Sequence, residues 1–470
     1  MKKHSVTIVV FGGTGDLVQK KLMSALFDLY NNEIFSDDFR IVAFSRKQMS
    51  HEEYRQFARN ILDQKGVCGG KDCDGFLEKI FYCSGDLNNQ ESYLTLSNFI
   101  NELDKTDNLC SNKLFYLAIP PNLYESVFNN LASSGMTIPC ATPEENKKTW
   151  ARVLVEKPFG NDMDEAQKLD TLLGKLFSED QIFRIDHYLA KETIQNILTF
   201  RFANSIFNYL WNKDHIQEIR IKVYEDYDIR GRGRFYDGIG ALRDMGQNHM
   251  LQMLSLITMQ DPKMLGASFV RNARTDALEK IYLDKKDIVN IKRGQYEGYL
   301  SEEVDANSET ETFFRISLKT KDKQLKGIPL YLEHGKALNQ TKTEIEIIFK
   351  ERPSCACPVD DKRQHTNKLI FVVKPEDGIR VRFWIKQPGF DYQIDDKELS
   401  FSYKTENQML PNPYERVLFD CIRGDQTLFT STAEVKAEWK IITSILDFWQ
   451  KVPLKKYKKG SKPEEIVYSG

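Results

Sequence analysis

Short runs of apolar, β-branched residues alternate with longer amphipathic stretches over the first third of this chain. The runs at 6–11, 40–44, 114–118 and 153–155 are apolar at consecutive positions apart from Thr7 and Arg40, as strands buried on both faces of a parallel sheet tend to be. Between them, as at 17–30 and 51–62, apolar positions recur at helical spacing. That order predicts a doubly wound, Rossmann-like α/β domain. After about residue 186 the texture changes. Helical patterns at 191–204 and 247–258 bracket an alternating run at 218–224. From 310 to about 401 the alternating runs at 312–318, 330–333, 344–349, 368–373 and 378–385 predict a mainly antiparallel sheet. A final helical pattern spans 432–449. The expected division is an α/β domain at 1–185 followed by a larger α+β domain at 186–470.

A chain of 470 residues allows two to three domains with ample core. Its formal net charge is only −2, so no general attraction to nucleic acid or to an anionic membrane is expected, and the basic residues act locally. No apolar run reaches membrane-spanning length, and Met1-Lys2-Lys3-His4 leads straight into the first strand pattern, which makes a cytoplasmic protein the expectation. The close cysteine pairs Cys68/Cys73 and Cys355/Cys357 match no zinc spacing; free thiols in loops, and no metal, are expected. The end Lys455-Lys456-Tyr457-Lys458-Lys459-Gly460 reads as a solvated, fraying tail.

The first strand pattern runs into Gly12-Gly13-Thr14-Gly15-Asp16-Leu17-Val18 and then a helix, the setting of a dinucleotide-binding turn. Gly12 permits the sharp turn, Gly15 lets backbone N–H groups approach a pyrophosphate, and the helix N-terminus adds favourable partial charge. The second strand ends Ala43-Phe44-Ser45-Arg46-Lys47. It lacks the carboxylate that would bind a ribose 2′-hydroxyl, and Arg46 can pair with a 2′-phosphate, so NADP is favoured over NAD. The next apolar strand pattern ends Leu117-Ala118-Ile119-Pro120-Pro121-Asn122-Leu123-Tyr124, at the sheet edge where ligands bind; Tyr124 is either a ligand contact or the first aromatic of a helix.

Arg184-Ile185-Asp186-His187-Tyr188-Leu189-Ala190-Lys191-Glu192 concentrates a carboxylate, an imidazole, a phenol and an ammonium. If helical, it places His187 and Lys191 on one face with Tyr188 beside Lys191, a face able to bind phosphate. Asp186 could orient an imidazole, or serve only as a helix cap. His249 opens the apolar helical run of Met250-Leu251-Gln252-Met253-Leu254, as a base or as a satisfied core histidine. Pro158 makes Lys157 extended at the end of the first domain.

The stretch 184–192 resembles the RIDHYLGKE signature of the glucose-6-phosphate dehydrogenase family, with Ala190 in place of its glycine. Val155-Glu156-Lys157-Pro158-Phe159-Gly160 is similar to the family's VEKPFG, and Arg201-Phe202-Ala203-Asn204 with Trp211-Asn212 to its RFAN and WN. Arg243-Asp244 and Gln247-Asn248-His249 resemble its RD-x-x-QNH, and Gly335-Lys336-Ala337-Leu338 its GKAL. The motifs follow family order from about residue 6 to about residue 445.

The resemblance implies oxidation of β-D-glucose 6-phosphate to 6-phosphoglucono-δ-lactone with reduction of NADP+. It makes His249 the base and Asp186 its orienting carboxylate. It places His187, Tyr188 and Lys191 on the phosphate, Glu225 and Asp244 on sugar hydroxyls, Lys336 on substrate, and Lys157 on substrate and cofactor. Gly12, Gly13, Thr14, Gly15, Asp16, Leu17, Lys21, Ser45, Arg46 and Tyr124 would complete the cofactor site. The domain at 186–470 would then bind substrate and form a homodimer or homotetramer. Without the resemblance, Glu225 and Asp244 read equally as surface carboxylates beside Arg230, Arg232, Arg234 and Arg243. Three departures stand out. Val18 replaces the family's alanine. Thr341 stands five positions after Lys336, where many relatives carry a second cation, and neighbouring Lys342 would point to the opposite side of an extended segment. Glu346 and Val372 replace arginines of animal members that hold a second NADP, so no second cofactor site is expected. Two alternatives remain at this level: a sugar oxidoreductase of the inositol or glucose–fructose type, which would not need the phosphate grip, and a non-catalytic NADP-binding sensor, which would not need Asp186 and His249.

Overall fold

The computed structural model describes residues 5–35, 39–69, 71–107, 110–139, 149–352, 363–403 and 410–468. Met1-Lys2-Lys3-His4 and the pair Cys355/Cys357 lie outside them. The chain forms two compact units, Met1–Ala190 with Pro411–Thr432, and Lys191–Leu410 with Ala433–Gly470. A single division at 185/186 therefore omits a returning segment that belongs to the first unit.

The first unit is built on seven strands: β1 (Val6–Phe11), β2 (Phe39–Ser45), β3 (Ile80–Ser84), β4 (Asn112–Leu117), β5 (Ala151–Val155), β6 (Ile182–Ile185) and β16 (Phe429–Thr430), ordered 3-2-1-4-5-6-16. All pair in parallel except β16, which joins β6 antiparallel through Phe429 and Ile185. Order 3-2-1-4-5-6 is that of dinucleotide-binding sheets, with its reversal between β1 and β4. The strands β1, β2 and β4 are buried at every position, which is why they read as largely apolar runs; among their polar members, Thr7, Arg40 and Asn112 are hydrogen-bonded. The helices cover them by amphipathic stripes. His51–Gln64 opens with a capping box between Ser50 and Glu53 and buries Tyr54, Ala58, Ile61 and Leu62, one face at helical spacing. The returning segment carries helix Pro413–Arg423, capped by Asn412 and ended by left-handed Gly424. Gln426 anchors it by donating to the carbonyls of Glu179 and Ile182 at 2.7 and 2.9 Å.

The second unit holds a ten-stranded sheet. Its strands are β7 (Ile216–Tyr224), β8 (Ile281–Tyr282), β9 (Lys292–Tyr296), β10 (Phe313–Thr320), β11 (Leu330–Gly335), β12 (Lys342–Phe349), β13 (Lys368–Lys374), β14 (Gly378–Lys386), β15 (Ile394–Ser402) and β17 (Leu454–Tyr457). The order is 15-14-13-12-7-11-10-9-17, with β8 pairing β10. Pairing is antiparallel except between β7 and β11 and between β9 and β17. β7 alternates buried Ile219, Ile221 and Val223 with less buried Glu218, Arg220 and Lys222, the period of a half-covered sheet. Helix Thr432–Trp449 is tied to helix Ala267–Lys280 by a fully enclosed Glu434–Arg274 pair at 2.6 Å. The arginine and tryptophan that resemble family motifs are structural here. Arg201 donates to the carbonyl of Met259 at 2.9 Å, and the Trp211 indole to that of Ile257 at 2.9 Å, so both satisfy orphan carbonyls at the end of helix Leu251–Thr258.

Two expectations are corrected. Residues 454–457 are not a fraying tail but strand β17, because Tyr457 is buried and bonded and Lys456 donates to the buried Gln295 side chain. Cys68 and Cys73 form a disulfide, and Cys83 and Cys421 are free but buried, not in loops. Among the described residues no helix is long and apolar enough to cross a membrane.

Candidate active site

In the first unit the glycine turn sits at the β1–β4 reversal. Gly12 and Gly13 both donate to the Phe44 carbonyl, at 2.9 and 3.1 Å, and Gly15 donates to the Gly12 carbonyl at 2.8 Å. Gly12 has φ +82°, and a Cβ there would lie 2.3 Å from the carbonyl oxygen of Ala118; one on Gly13 would lie 2.7 Å from the Ala43 Cβ. Only bare backbone fits this cradle, as close approach to a pyrophosphate requires. The Thr14 hydroxyl is 2.9 Å from that of Ser45, and Tyr54 donates to the Gly13 carbonyl at 2.6 Å. The turn and the end of β2 are thereby one bonded body. Arg46 follows directly and is exposed, as is Lys21 on the π-helical turn Val18–Leu22. Asp16 is exposed and ion-paired with Lys20 at 2.6 Å, Leu17 is half-buried, and Val18 is buried in the core. The donor set, with cations and no carboxylate at the end of β2, fits NADP.

Tyr124 is buried and donates to the Glu156 carbonyl at 3.0 Å, while Tyr116 donates to the Glu156 carboxylate at 2.6 Å. These two phenols clamp the residue before Lys157, whose peptide to Pro158 is cis. Burial pushes the Glu156 carboxyl up to about 7 despite the Tyr116 bond and nearby Lys157. Sequence reading missed Glu156; the signal was an acidic residue directly after the apolar run Val153-Leu154-Val155.

The signature 184–192 is not helical. β6 ends at Ile185; the Asp186 carboxylate then accepts the Tyr188 N–H at 2.9 Å, and its carbonyl accepts that of Leu189 at 3.0 Å. An aspartate bonding the backbone two residues on closes a turn in place of a helical one. The helix starts only at Glu192, with Lys191 as its cap residue. Asp186 and Tyr188 are buried, and the rings of His187 and Tyr188 lie 4.9 Å apart. Arg184 points elsewhere, bonded at 2.8 Å to both Asp170 and Thr432.

In the second unit β7 and β11 run parallel, with Tyr224 opposite Gly335. Glu225 and Lys336, the next residues, therefore emerge at the same end. The Lys336 ammonium lies 2.6 Å from Glu225, 3.3 Å from Asp244 and 5.3 Å over the Tyr236 ring. Burial disfavours its charge, but Asp244 and Glu225 more than offset this and hold its pKa above the ordinary lysine value. Tyr227 donates to Glu225 at 2.8 Å. Behind them His334, fully buried and 2.7 Å from the Val223 carbonyl, is pushed down to about 4 by burial and stays neutral. Asp244 and His249 share a nine-residue π-helical stretch, Leu242–Met250, that continues into helix Leu251–Thr258. His249 thus sits inside a longer helix, fully buried, and π-turns of this kind are frequent at functional sites. Thr341 donates to Asp226 at 2.5 Å. Lys342 is paired with Glu344 at 2.5 Å, and Glu346 with Lys222 at 2.7 Å. Tyr227, Tyr236 and His334 had no sequence signal, since only the fold brings them to this cluster.

Residues 9–196 match the family profile described as glucose-6-phosphate dehydrogenase, NAD binding domain, and residues 198–468 the one described as glucose-6-phosphate dehydrogenase, C-terminal domain. The glucose-6-phosphate 1-dehydrogenase of Borreliella burgdorferi is 37% identical, over 99% of this chain and 97% of its own. Glucose-6-phosphate 1-dehydrogenase 6, cytoplasmic, of Arabidopsis thaliana is 37% identical over 98% and 90%. A solved glucose-6-phosphate dehydrogenase in complex with its substrate glucose 6-phosphate superposes with a TM-score of 0.88 at 32% identity, covering 98% of this chain and 95% of that one.

Proposed function

The chain belongs to the glucose-6-phosphate dehydrogenase family, and on that premise we propose that it oxidises β-D-glucose 6-phosphate with His249 as base and Asp186 as orienting carboxylate. The activity is that of an NADP-dependent oxidoreductase yielding 6-phosphoglucono-δ-lactone. What carries the reading is the near full-length match to substrate-named relatives, with a histidine, two acids and a lysine at the motif positions. Bound NADP+ supplies the hydride acceptor. The imidazole of His249 takes the proton of the C1 hydroxyl, and the Asp186 carboxylate favours the resulting imidazolium. Glu225 and Asp244 accept from sugar hydroxyls, with the Lys336 ammonium paired to both. His187, Tyr188 and Lys191 bind the phosphate, a remote handle whose binding energy positions the reacting carbon. Lys157 serves substrate and cofactor; Arg46 and Lys21 serve the 2′-phosphate, and Tyr124 holds the Glu156–Lys157 backbone.

The finer reading extends to a cytoplasmic homodimer or homotetramer, with neither nucleic acid nor membrane as partner. Cytoplasmic plant relatives support the location. Exposed Leu399 and Phe401 on the edge strand β15 support self-association; a monomer in analytical ultracentrifugation overturns it. The test of function is NADPH formation with glucose 6-phosphate beside free glucose. Rapid turnover only with the phosphate ester supports the reading, and equal rates with free glucose sink the phosphate grip.

A further inference from the structure

The lysine-rich end of the chain is built into the sheet beside Lys336. β17 pairs in parallel with β9, Tyr457 opposite Tyr296. The Tyr457 ring is 5% exposed, and its hydroxyl donates to the main-chain carbonyl of Lys336 at 2.7 Å while lying 2.8 Å from the Thr312 hydroxyl. The N–H of Lys336 donates to the Thr312 carbonyl at 2.9 Å. Both main-chain polar groups of this lysine are thus held, one by Thr312 and the other by a side chain more than a hundred residues away.

The next residue, Ala337, has φ +52°, a left-handed conformation that alanine keeps only under constraint. The constraint comes from two sides. Ala337 and Leu338 donate to the carbonyls of Tyr227 and Glu225 at 3.0 and 2.9 Å. From the C-terminal segment, Gly460 donates to the Ala337 carbonyl at 2.8 Å, and Asn339 donates to that of Ser461 at 3.2 Å. Lys459 pins the segment at a second point, 2.7 Å from Asp228 and 3.1 Å from Glu302.

We infer that the C-terminal segment 454–468 is a strap that positions Lys336 for the substrate, with Tyr457 as the positioning residue. The inference rests on the proposed substrate role of Lys336. A lysine stem is flexible, so the placement of its ammonium depends on where the backbone starts. Without the phenol hydroxyl, the buried Lys336 carbonyl lacks its donor and the strained turn relaxes. The consequence falls on ground-state binding of the sugar phosphate more than on the chemical step.

The test is a cycle of wild type, Tyr457→Phe, Lys336→Ala and the double variant, with KM for glucose 6-phosphate, KM for NADP+ and kcat measured separately. Tyr457→Phe keeps the ring and its packing. It raises the KM for glucose 6-phosphate about tenfold, while kcat and the KM for NADP+ change less than about threefold. In the Lys336→Ala background the same substitution adds nothing, because its effect passes through Lys336. Lys459→Ala, at a 41% exposed side chain, raises the same KM by about two- to threefold, again only when Lys336 is present; it carries the cycle if Tyr457→Phe fails to fold. If Lys336→Ala leaves the KM unchanged, the substrate role of Lys336 fails. If Lys336→Ala raises it while Tyr457→Phe does not, or Tyr457→Phe raises it equally in both backgrounds, the positioning inference fails and the substrate role stands.

Discussion

Gly12→Ala tests the cofactor cradle against a control that the same fold supplies. Gly12 has φ +82°, and an added Cβ would lie 2.3 Å from the Ala118 carbonyl oxygen and 2.9 Å from the Ile119 side chain. The left-handed backbone alone costs an alanine about 1–2 kcal/mol. To reach an ordinary separation the new carbon must retreat by about 1 Å. That displacement loosens the donations of Gly12 and Gly13 to the Phe44 carbonyl, worth about 1 kcal/mol each. The total is about 3–4 kcal/mol, or a loss of roughly 10²–10³ in NADP+ affinity if the turn must re-form on binding. Gly66 has φ +65° with nothing within 4 Å of its Cβ, so Gly66→Ala carries the conformational cost without the clash. Fluorescence titration with NADPH, alongside binding of glucose 6-phosphate, separates the two variants. We expect Gly12→Ala to lose NADP+ affinity selectively and Gly66→Ala to keep it. Affinity within about threefold of wild type in Gly12→Ala, or an equal loss in Gly66→Ala, refutes the cradle argument.

His249→Asn should lower kcat by roughly 10²–10⁴ with little change in substrate binding, and Asp186→Asn by less; near-normal turnover in folded His249→Asn removes it as the base. Arg46→Ala should raise the KM for NADP+ far more than that for NAD+, and equal weakening toward both places Arg46 on adenine alone. Thr341→Arg should lower the KM for glucose 6-phosphate only about threefold without raising kcat, because Asp226, bonded to Thr341, pairs with the new guanidinium. Lys342→Ala should leave that KM alone, since Glu344 already holds Lys342, and a weakened KM there shows the lysine reaching substrate. Glu156 has its folded pKa raised from 4.5 to about 7, so the stability of its protonated form is present below pH ~4.5 and lost as pH rises through about 7. Glu156→Gln should therefore gain thermal midpoint over wild type progressively from pH ~5 to ~7.5; a constant difference across that range contradicts the assignment.

Where burial is uniform along a strand or follows the helical period, an element's position was legible. β1 appears over the six residues its apolar run predicts, and helix Thr432–Trp449 keeps the predicted bounds. Mixed burial hid others. β3 lies at the sheet edge, and β15 exposes most of its residues, so neither shows a clean run or alternation. The signature 184–192 misled for a different reason: its spacing suits a helix, but the Asp186 side chain bonds the Tyr188 backbone and a turn wins. Tyr236 and His334 were silent because nothing local marks a residue whose significance comes from partners distant in the chain.

The sequence by itself determined the two-part architecture and the glycine turn with its arginine-ended second strand, while the residues expected to carry the chemistry followed from the motif resemblance. The first two depend on short-range rules: side-chain period, backbone freedom at glycine, and charge at a fixed offset from a strand end. Only the tertiary structure decided that 411–432 completes the first unit, that Cys68 and Cys73 are joined, and that the lysine-rich end forms a strand. It alone placed Lys336 between Glu225 and Asp244 with Tyr457 on its carbonyl. Those contacts link residues far apart in the chain, and their energy exists only once the sheet register has brought the partners together; no local pattern encodes it.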